Sequence, residues 1–154
     1  MLSWASVERM LRAARYLWIS STSADGSPHL VEQWCAWVDD TLYFEGSDRT
    51  LWARNLERDP RLAFGVQVDD RAAYGQAVVD VARALERSVA ARIARQYARK
   101  YGPDFDYRPS IEQYVDGPVF RARPTKLIAF DVRQFNTSAT RFTFEPRALE
   151  KDAR

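Results

Sequence analysis

The chain has 154 residues, 46% hydrophobic and 13% aromatic, with a formal net charge of +2. That is one domain's length, residues 1–154, with enough apolar side chains to bury a core. Its 23 basic and 21 acidic residues are interspersed, which argues against a nucleic-acid binder, where basic charge gathers on one face.

Cys35 is alone, so no intrachain disulfide can form and no cysteine-based metal site is indicated. Glu8, Arg9, Arg12 and Arg15 interrupt any apolar run near the start, so no signal peptide is read there. No stretch is long and apolar enough to span a bilayer, and a cytoplasmic protein is expected. Arginine outnumbers lysine (only Lys100, Lys126 and Lys151), which suits bidentate recognition of phosphate or carboxylate.

In chain order, Val7, Met10, Leu11 and Ala14 share one face of a helix predicted over 4–14. Residues 16–22 read as a strand, and Asp25-Gly26 as a hairpin turn, because Gly tolerates positive φ. A second strand is predicted over 29–38, a turn at Asp39-Asp40 and a third strand over 41–45. The polar loop Gly46-Ser47-Asp48-Arg49-Thr50 leads into a helix over 50–58 that Thr50 is placed to cap and Asp59-Pro60 to stop. Leu62, Phe64, Val66 and Val68 alternate as a half-buried strand. A turn region over 69–75, a strand over 76–84 and a helix over 88–101 follow, with Gly102-Pro103 as the expected helix stop. A polar loop over 102–117 and strands over 119–121, 127–132 and 141–145 complete about seven strands and three helices. The charged end, from about 146, is expected to fray.

An ordered series of local patterns runs through nearly the whole chain. It comprises Asp25-Gly26-x-Pro28-His29, Trp34, Leu42-Tyr43-Phe44, Arg54-Asn55-Leu56-x-x-Asp59-Pro60-Arg61, the run from Gln96 to Gly102, the run from Pro118 to Pro124, and Ala139-Thr140-Arg141-Phe142-x-Phe144. In this layout the chain resembles the pyridoxamine 5′-phosphate oxidase-like split-barrel superfamily of flavin and deazaflavin oxidoreductases. The resemblance implies a split antiparallel β-barrel with flanking helices, a homodimer with cofactor sites at its interface, and FMN or the deazaflavin F-420 as coenzyme. The narrow preference is for F-420, on the arginine-rich composition and on a missing lysine.

A strand end that feeds a helix N-terminus can hold a phosphate, because the first backbone N–H groups of a helix lack partners. Ser47, Arg49 and Thr50 bring donors and charge there, with Arg54 and Asn55 nearby. The resemblance places the coenzyme phosphate at this loop and the ring along Gln33 and Trp34, with Arg141 near the cofactor, often from the neighbouring subunit. It also exposes departures. Trp52 stands where relatives commonly carry lysine, so Arg49 or Arg54 must balance a phosphate; Trp52 itself either stacks on a ring or packs in the core. Glu32 stands where proline is frequent. Asp80-Val81 replaces Glu-Gly, implying a less bulged strand.

His29, the only histidine, cannot build a metal site unaided, and no Ser-His-Asp set or glycine-rich phosphate loop is present. With no acid–base or metal constellation in the sequence, the chemistry is that of a cofactor enzyme acting on a small organic substrate. It is equally that of a non-catalytic protein that binds or sequesters a flavin, F-420 or a haem-like ligand.

Overall fold

The computed structural model describes residues 1–145; the segment expected to fray, from 146, lies outside the described residues. The described chain begins with α1 (Trp4–Ala13), β1 (Leu17–Thr22), β2 (Pro28–Gln33), β3 (Ala36–Val38), β4 (Thr41–Phe44) and α2 (Leu51–Arg58). It continues with β5 (Arg61–Val68), β6 (Arg71–Ala82), α3 (Arg87–Phe105), α4 (Glu112–Val115), β7 (Val119–Asp131), a 3-10 turn (Val132–Gln134), α5 (Phe135–Ser138) and β8 (Thr140–Thr143). The strand order is β2-β1-β5-β6-β7-β4-β3, with β8 beside β7 and every pairing antiparallel.

The ends of this path, β2 and β3, are consecutive in the chain and separated only by Trp34 and Cys35. So short a connection spans roughly 11 Å at full extension, at ~3.6 Å per residue. The sheet must therefore curl until its two ends approach each other, which yields the split antiparallel barrel with flanking helices that the sequence implied. Alternation fills its interior: β1 buries Leu17, Ile19 and Ser21 and turns Trp18 outward. Leu42, Phe44, Phe64, Val66, Ala122 and Leu127 join them inside. A second cluster lies outside the barrel around α3 and is rich in tyrosine: Tyr43, Tyr97, Tyr101 and Tyr114 pack with Ile93 and Val119.

Several boundaries differ from the sequence reading, each for a physical reason. The strand expected over 29–38 breaks after Gln33, because the Cys35 N–H leaves the ladder and donates to the Tyr101 hydroxyl (2.9 Å). The free edge of β3 is covered by a side chain: the Gln96 amide accepts from Trp37 N (3.0 Å) and donates to Trp37 O (2.7 Å). The turn expected over 69–75 shrinks to Asp69-Asp70, with Asp69 at φ 50°, and β6 pairs with β5 from Arg71 onward. Asp39 (φ 50°) and Asp40 (φ 56°) make the expected tight turn, a conformation Asp tolerates through its short polar side chain.

Gly102-Pro103 does not stop α3. Pro103 sits in its last turn, and the helix closes at Asp106, which is left-handed (φ 52°) and returns its N–H to Gly102 O (3.0 Å). The loop expected over 102–117 therefore holds the end of α3 and all of α4. The two strands expected over 119–132 are one, because a register shift at Gln76/Ala77 accommodates Pro124, which lacks an N–H for the ladder. The bulge lies there, and pairing through Asp80 and Val81 is regular.

Candidate functional site

The loop 46–50 leaves the barrel at the end of β4 and is tied to itself. Thr50 caps α2, its hydroxyl accepting from Ala53 N (3.4 Å) and donating to Ser47 O (2.8 Å), while Ser47 Oγ accepts from Arg49 N (3.2 Å). Gly46 is required by close approach: a Cβ there would lie 2.4 Å from the Trp52 ring.

Two grooves flank this loop. The larger, about 990 Å³, runs between the loop, α2 and β6. Arg49, Arg54 and Arg83 bring three guanidinium groups to it, opposed by Asp48, Glu57 and Asp80, above an apolar floor of Val79, Val81, Pro118 and Phe120. Asp80 is already engaged. Arg121 grips it with two hydrogen bonds (2.9 and 2.7 Å) and Arg123 adds a third (3.1 Å). Burial alone would raise the Asp80 pKa, but the two guanidinium groups hold it below the ordinary carboxylate range. The net field along the rim is therefore set more by arginine than the count of charges suggests.

The smaller groove, about 390 Å³, is lined by Glu32, Gln33, Trp34, Glu45, Tyr97 and Tyr107. Glu45 and Gly46, adjacent in the chain, thus line different grooves. Trp34 stacks on Tyr101 (centroids 4.2 Å apart, 5° between planes), with Phe105 and Tyr107 around it at 4.9 and 5.5 Å. Glu45 fixes the far wall. Its Oε1 accepts from the Tyr114 hydroxyl (2.6 Å), and its Oε2 accepts from Tyr107 (3.2 Å) and Gln113 Nε2 (2.6 Å). Burial, reinforced by the Glu45 charge, pushes the hydroxyl pKa values of Tyr97, Tyr107 and Tyr114 up.

The structure divides the residues singled out from sequence. Ser47 and Arg49 line the large groove, Gln33 and Trp34 the small one, and Thr50 caps α2 and lines neither. Trp52 is buried, wedged against Phe44 and Phe120 (centroids 5.7 and 4.8 Å), so its ring is part of the core. With the Gln33 amide nitrogen donating to Glu45 O (3.1 Å), its oxygen accepts from Trp52 Nε1 (3.2 Å), which ties the lining of the smaller groove to the barrel core. Asn55 is buried as well, donating to Ser21 Oγ (3.1 Å) and anchoring α2 to β1.

Arg141 lies apart from both grooves. It pairs with Ile128, eight residues along β7 from Phe120, or about 26 Å of strand at ~3.3 Å per residue. Sequence reasoning did not single out Arg83 or Glu45. Arg83 follows a strand end without a motif, and Glu45 reads as the ordinary last residue of a strand. Among the described residues no three His, Cys, Asp or Glu side chains group to hold a metal, and no helix is long and apolar enough to cross a membrane.

A family model for pyridoxamine 5′-phosphate oxidase matches residues 4–137. No curated protein matches the chain. Among solved structures, a conserved hypothetical protein from Mycobacterium tuberculosis is 22% identical, with a TM-score of 0.68 over 91% of each chain. An F420 reductase is 21% identical, with a TM-score of 0.56 over 78% of this chain and 94% of its own. A pyridoxamine 5′-phosphate oxidase-related, FMN-binding protein from Nostoc punctiforme is 12% identical, with a TM-score of 0.57 over 90% of this chain and 91% of its own. At these identities the likeness is one of fold.

Proposed function

The chain belongs to the pyridoxamine 5′-phosphate oxidase family, and on that premise we propose that it is an oxidoreductase that binds F-420 or FMN in the larger groove and acts on a small organic substrate. The observation that carries this reading is the groove itself: Arg49, Arg54 and Arg83 face only Asp48 and Glu57, because Asp80 is already bound by Arg121 and Arg123, and Val79, Val81, Pro118 and Phe120 supply an apolar lining beside the N-terminal end of α2. A coenzyme with a flat ring and an anionic tail needs both. The residues present fit such a group even without the lysine replaced by Trp52. Arg49 and Arg54 carry the charge that balances a phosphate, and the Ser47 hydroxyl adds a donor beside them. F-420 is preferred to FMN, because three separated arginines suit an extended anionic tail better than one terminal phosphate. When bound, the coenzyme supplies the hydride; the chain supplies binding, orientation and exclusion of water.

The reading includes a homodimer. Trp18 (47% exposed), Leu30 (61%) and Tyr74 (54%) stand on the outer face of the sheet around a shallow depression of about 460 Å³. Apolar exposure of that kind on one sheet face favours a protein partner, and Arg141 reaches a coenzyme groove only across such an interface.

Titration of the apo protein with F-420 and, separately, with FMN tests the assignment, followed by tryptophan fluorescence. Saturable quenching by one coenzyme, weakened about tenfold or more by Arg54→Ala, is the expected result; hydrogen bonds to charged groups contribute ~1.5–3 kcal/mol. Sedimentation equilibrium on the same sample should return twice the chain mass. A flat response to both coenzymes ends the oxidoreductase reading. Saturable binding of one coenzyme, with the bound reduced form passing its hydride to no acceptor, would instead favour the non-catalytic carrier.

A further inference from the structure

We propose that two copies of this chain pack outer sheet face on outer sheet face about a two-fold axis that runs along the strands between β5 and β6, locked by an ion pair between Glu32 of one copy and the partner's Arg141. The proposal rests on the homodimer reading above and adds to it where the axis lies and which residues select it.

One cross-strand row runs the width of the sheet. Glu32 on β2 pairs with Trp18, Trp18 with Gly65, Gly65 with Tyr74, Tyr74 with Ile128, and Ile128 with Arg141 on β8. Residues directly opposite each other on paired strands share a face, and Glu32, Trp18, Tyr74, Ile128 and Arg141 are all exposed on this one. The row therefore carries a carboxylate at one end and a guanidinium at the other, with two rings, a glycine and an aliphatic chain between them. Among the described residues neither Glu32 nor Arg141 is held in an ion pair.

Such a row is its own complement. Half a turn about an axis along the strands, midway between Gly65 and Tyr74, reverses the row and lays it face down on itself. Glu32 then meets the partner's Arg141, Trp18 the partner's Ile128, and Gly65 the partner's Tyr74. An isologous contact repeats every pair, so the dimer holds two ion pairs at its rim and apolar groups at its centre. The adjacent row of Ser20, Ala63, Gln76 and Lys126 is compatible, because Lys126 falls opposite the partner's Ser20 and Ala63 opposite the partner's Gln76. Charge excludes the alternatives. An axis along the row itself would set Glu32 on Glu32 and Arg141 on Arg141, and like charges across an interface are strongly unfavourable. Moving the axis by one strand in either direction separates Glu32 from the partner's Arg141.

Shape agrees with charge. The curl of the sheet makes its outer face convex, but Gly65 has no side chain, and the depression of about 460 Å³ lies around it, lined also by Trp18, Leu30 and Tyr74. Two facing sheets stand ~10 Å apart, a gap that a glutamate and an arginine side chain close between them. Glu32 also lines the smaller groove with Gln33 and Trp34. The partner's Arg141 therefore arrives at the mouth of that groove, and each copy completes the groove of the other.

Sedimentation equilibrium of the full chain, with Glu32→Arg and Arg141→Glu measured singly and mixed, tests the axis. The wild-type chain is expected to be a dimer. Each single variant opposes like charges at both ends of the row and should raise the dimer dissociation constant by about tenfold or more. An equimolar mixture brings opposite charges together at both ends and should dimerise within about threefold of wild type, with native mass spectrometry finding the mixed dimer. The double variant Glu32→Arg/Arg141→Glu restores the pairing within one kind of chain and should dimerise as wild type does, which separates a lost contact from a folding defect. A wild-type monomer ends the homodimer reading and the axis with it. A wild-type dimer that neither single variant weakens, or weakened variants that mixing does not restore, overturns the axis and leaves the homodimer reading standing.

Discussion

The two cores of this molecule are built on different terms. Inside the barrel, Leu17, Ile19, Leu42, Phe44 and Phe64 bury hydrocarbon against hydrocarbon, and nothing but shape distinguishes one contact from another. Around α3 the buried rings carry hydroxyls, and each is aimed. Tyr97 donates to Trp34 O (3.1 Å), Tyr101 to Arg15 O (2.6 Å) and Tyr114 to Glu45 (2.6 Å). The barrel core makes the fold stable, whereas the tyrosine core sets where Trp34, Glu45 and the 107–115 segment stand, and these are the walls of the smaller groove. Apolar burial is non-directional and scales with area; hydrogen bonds are weaker in sum but fix positions.

A matched pair of substitutions puts the largest strain on that comparison. Phe44→Ala empties a fully buried ring site against Trp52 and Phe120, and should cost about 3–5 kcal/mol with the denaturant slope unchanged. Tyr114→Phe removes one hydroxyl from a charged acceptor and should cost about 1.5–3 kcal/mol. Limited proteolysis should separate them further. Cleavage in 107–115 should accelerate in Tyr114→Phe under conditions where the barrel stays intact, while Phe44→Ala should raise susceptibility throughout. If both variants lose the same stability and are cut in the same places, the two cores are one cooperative unit and the distinction fails.

The barrel core was readable from sequence for the reason that makes it non-directional. Alternation in 17–22 and 61–68 needs only the count of residues to predict which side faces in, and the two-residue turn at Asp39-Asp40 fixes register locally, whereas the turn expected over 69–75 was too long. The tyrosine core was not readable in this way. Nothing near Glu45 in sequence announces that Tyr107, Gln113 and Tyr114, more than 60 residues away, will converge on it. The same holds for the break at Trp34-Cys35, which follows from Tyr101 capturing the Cys35 N–H across the fold. Gly102-Pro103 misled because a proline in the last turn of a helix forfeits only one backbone bond, which packing of Tyr97 and Tyr101 outweighs. The loop 46–50 was legible as a helix cap, but the core position of Trp52 required knowing that Gly46 leaves room for its ring.

The smallest effect expected from the comparison concerns the charge buried at the seam of the two cores, where Lys100 of α3 meets Ala14 and Cys35 of the barrel cluster. Lys100 is 7% exposed, and its ammonium donates to Ala14 O (2.7 Å), the same carbonyl that accepts from the buried Cys35 thiol (3.6 Å). Burial lowers the Lys100 pKa from its ordinary 10.5. The sign follows from proton counting. In the unfolded chain Lys100 keeps its proton up to about its ordinary value, whereas in the folded chain it releases it at lower pH. Between those two points the unfolded state binds more protons, so this residue's contribution to stability rises with pH and is complete only above 10.5. Cys35 and the buried tyrosines act oppositely: their pKa values are raised on folding, so their contributions fall as pH rises past their ordinary values. They remain in both chains when wild type is compared with Lys100→Met, and largely cancel. Urea unfolding of the two proteins from neutral pH upward should therefore show wild type gaining stability on the variant as pH climbs towards 10.5. At neutral pH the net difference should be small, because the variant loses both the cost of a buried charge and its bond to Ala14. A difference independent of pH would mean that Lys100 reaches water in the folded chain and that the seam between the cores holds no buried charge.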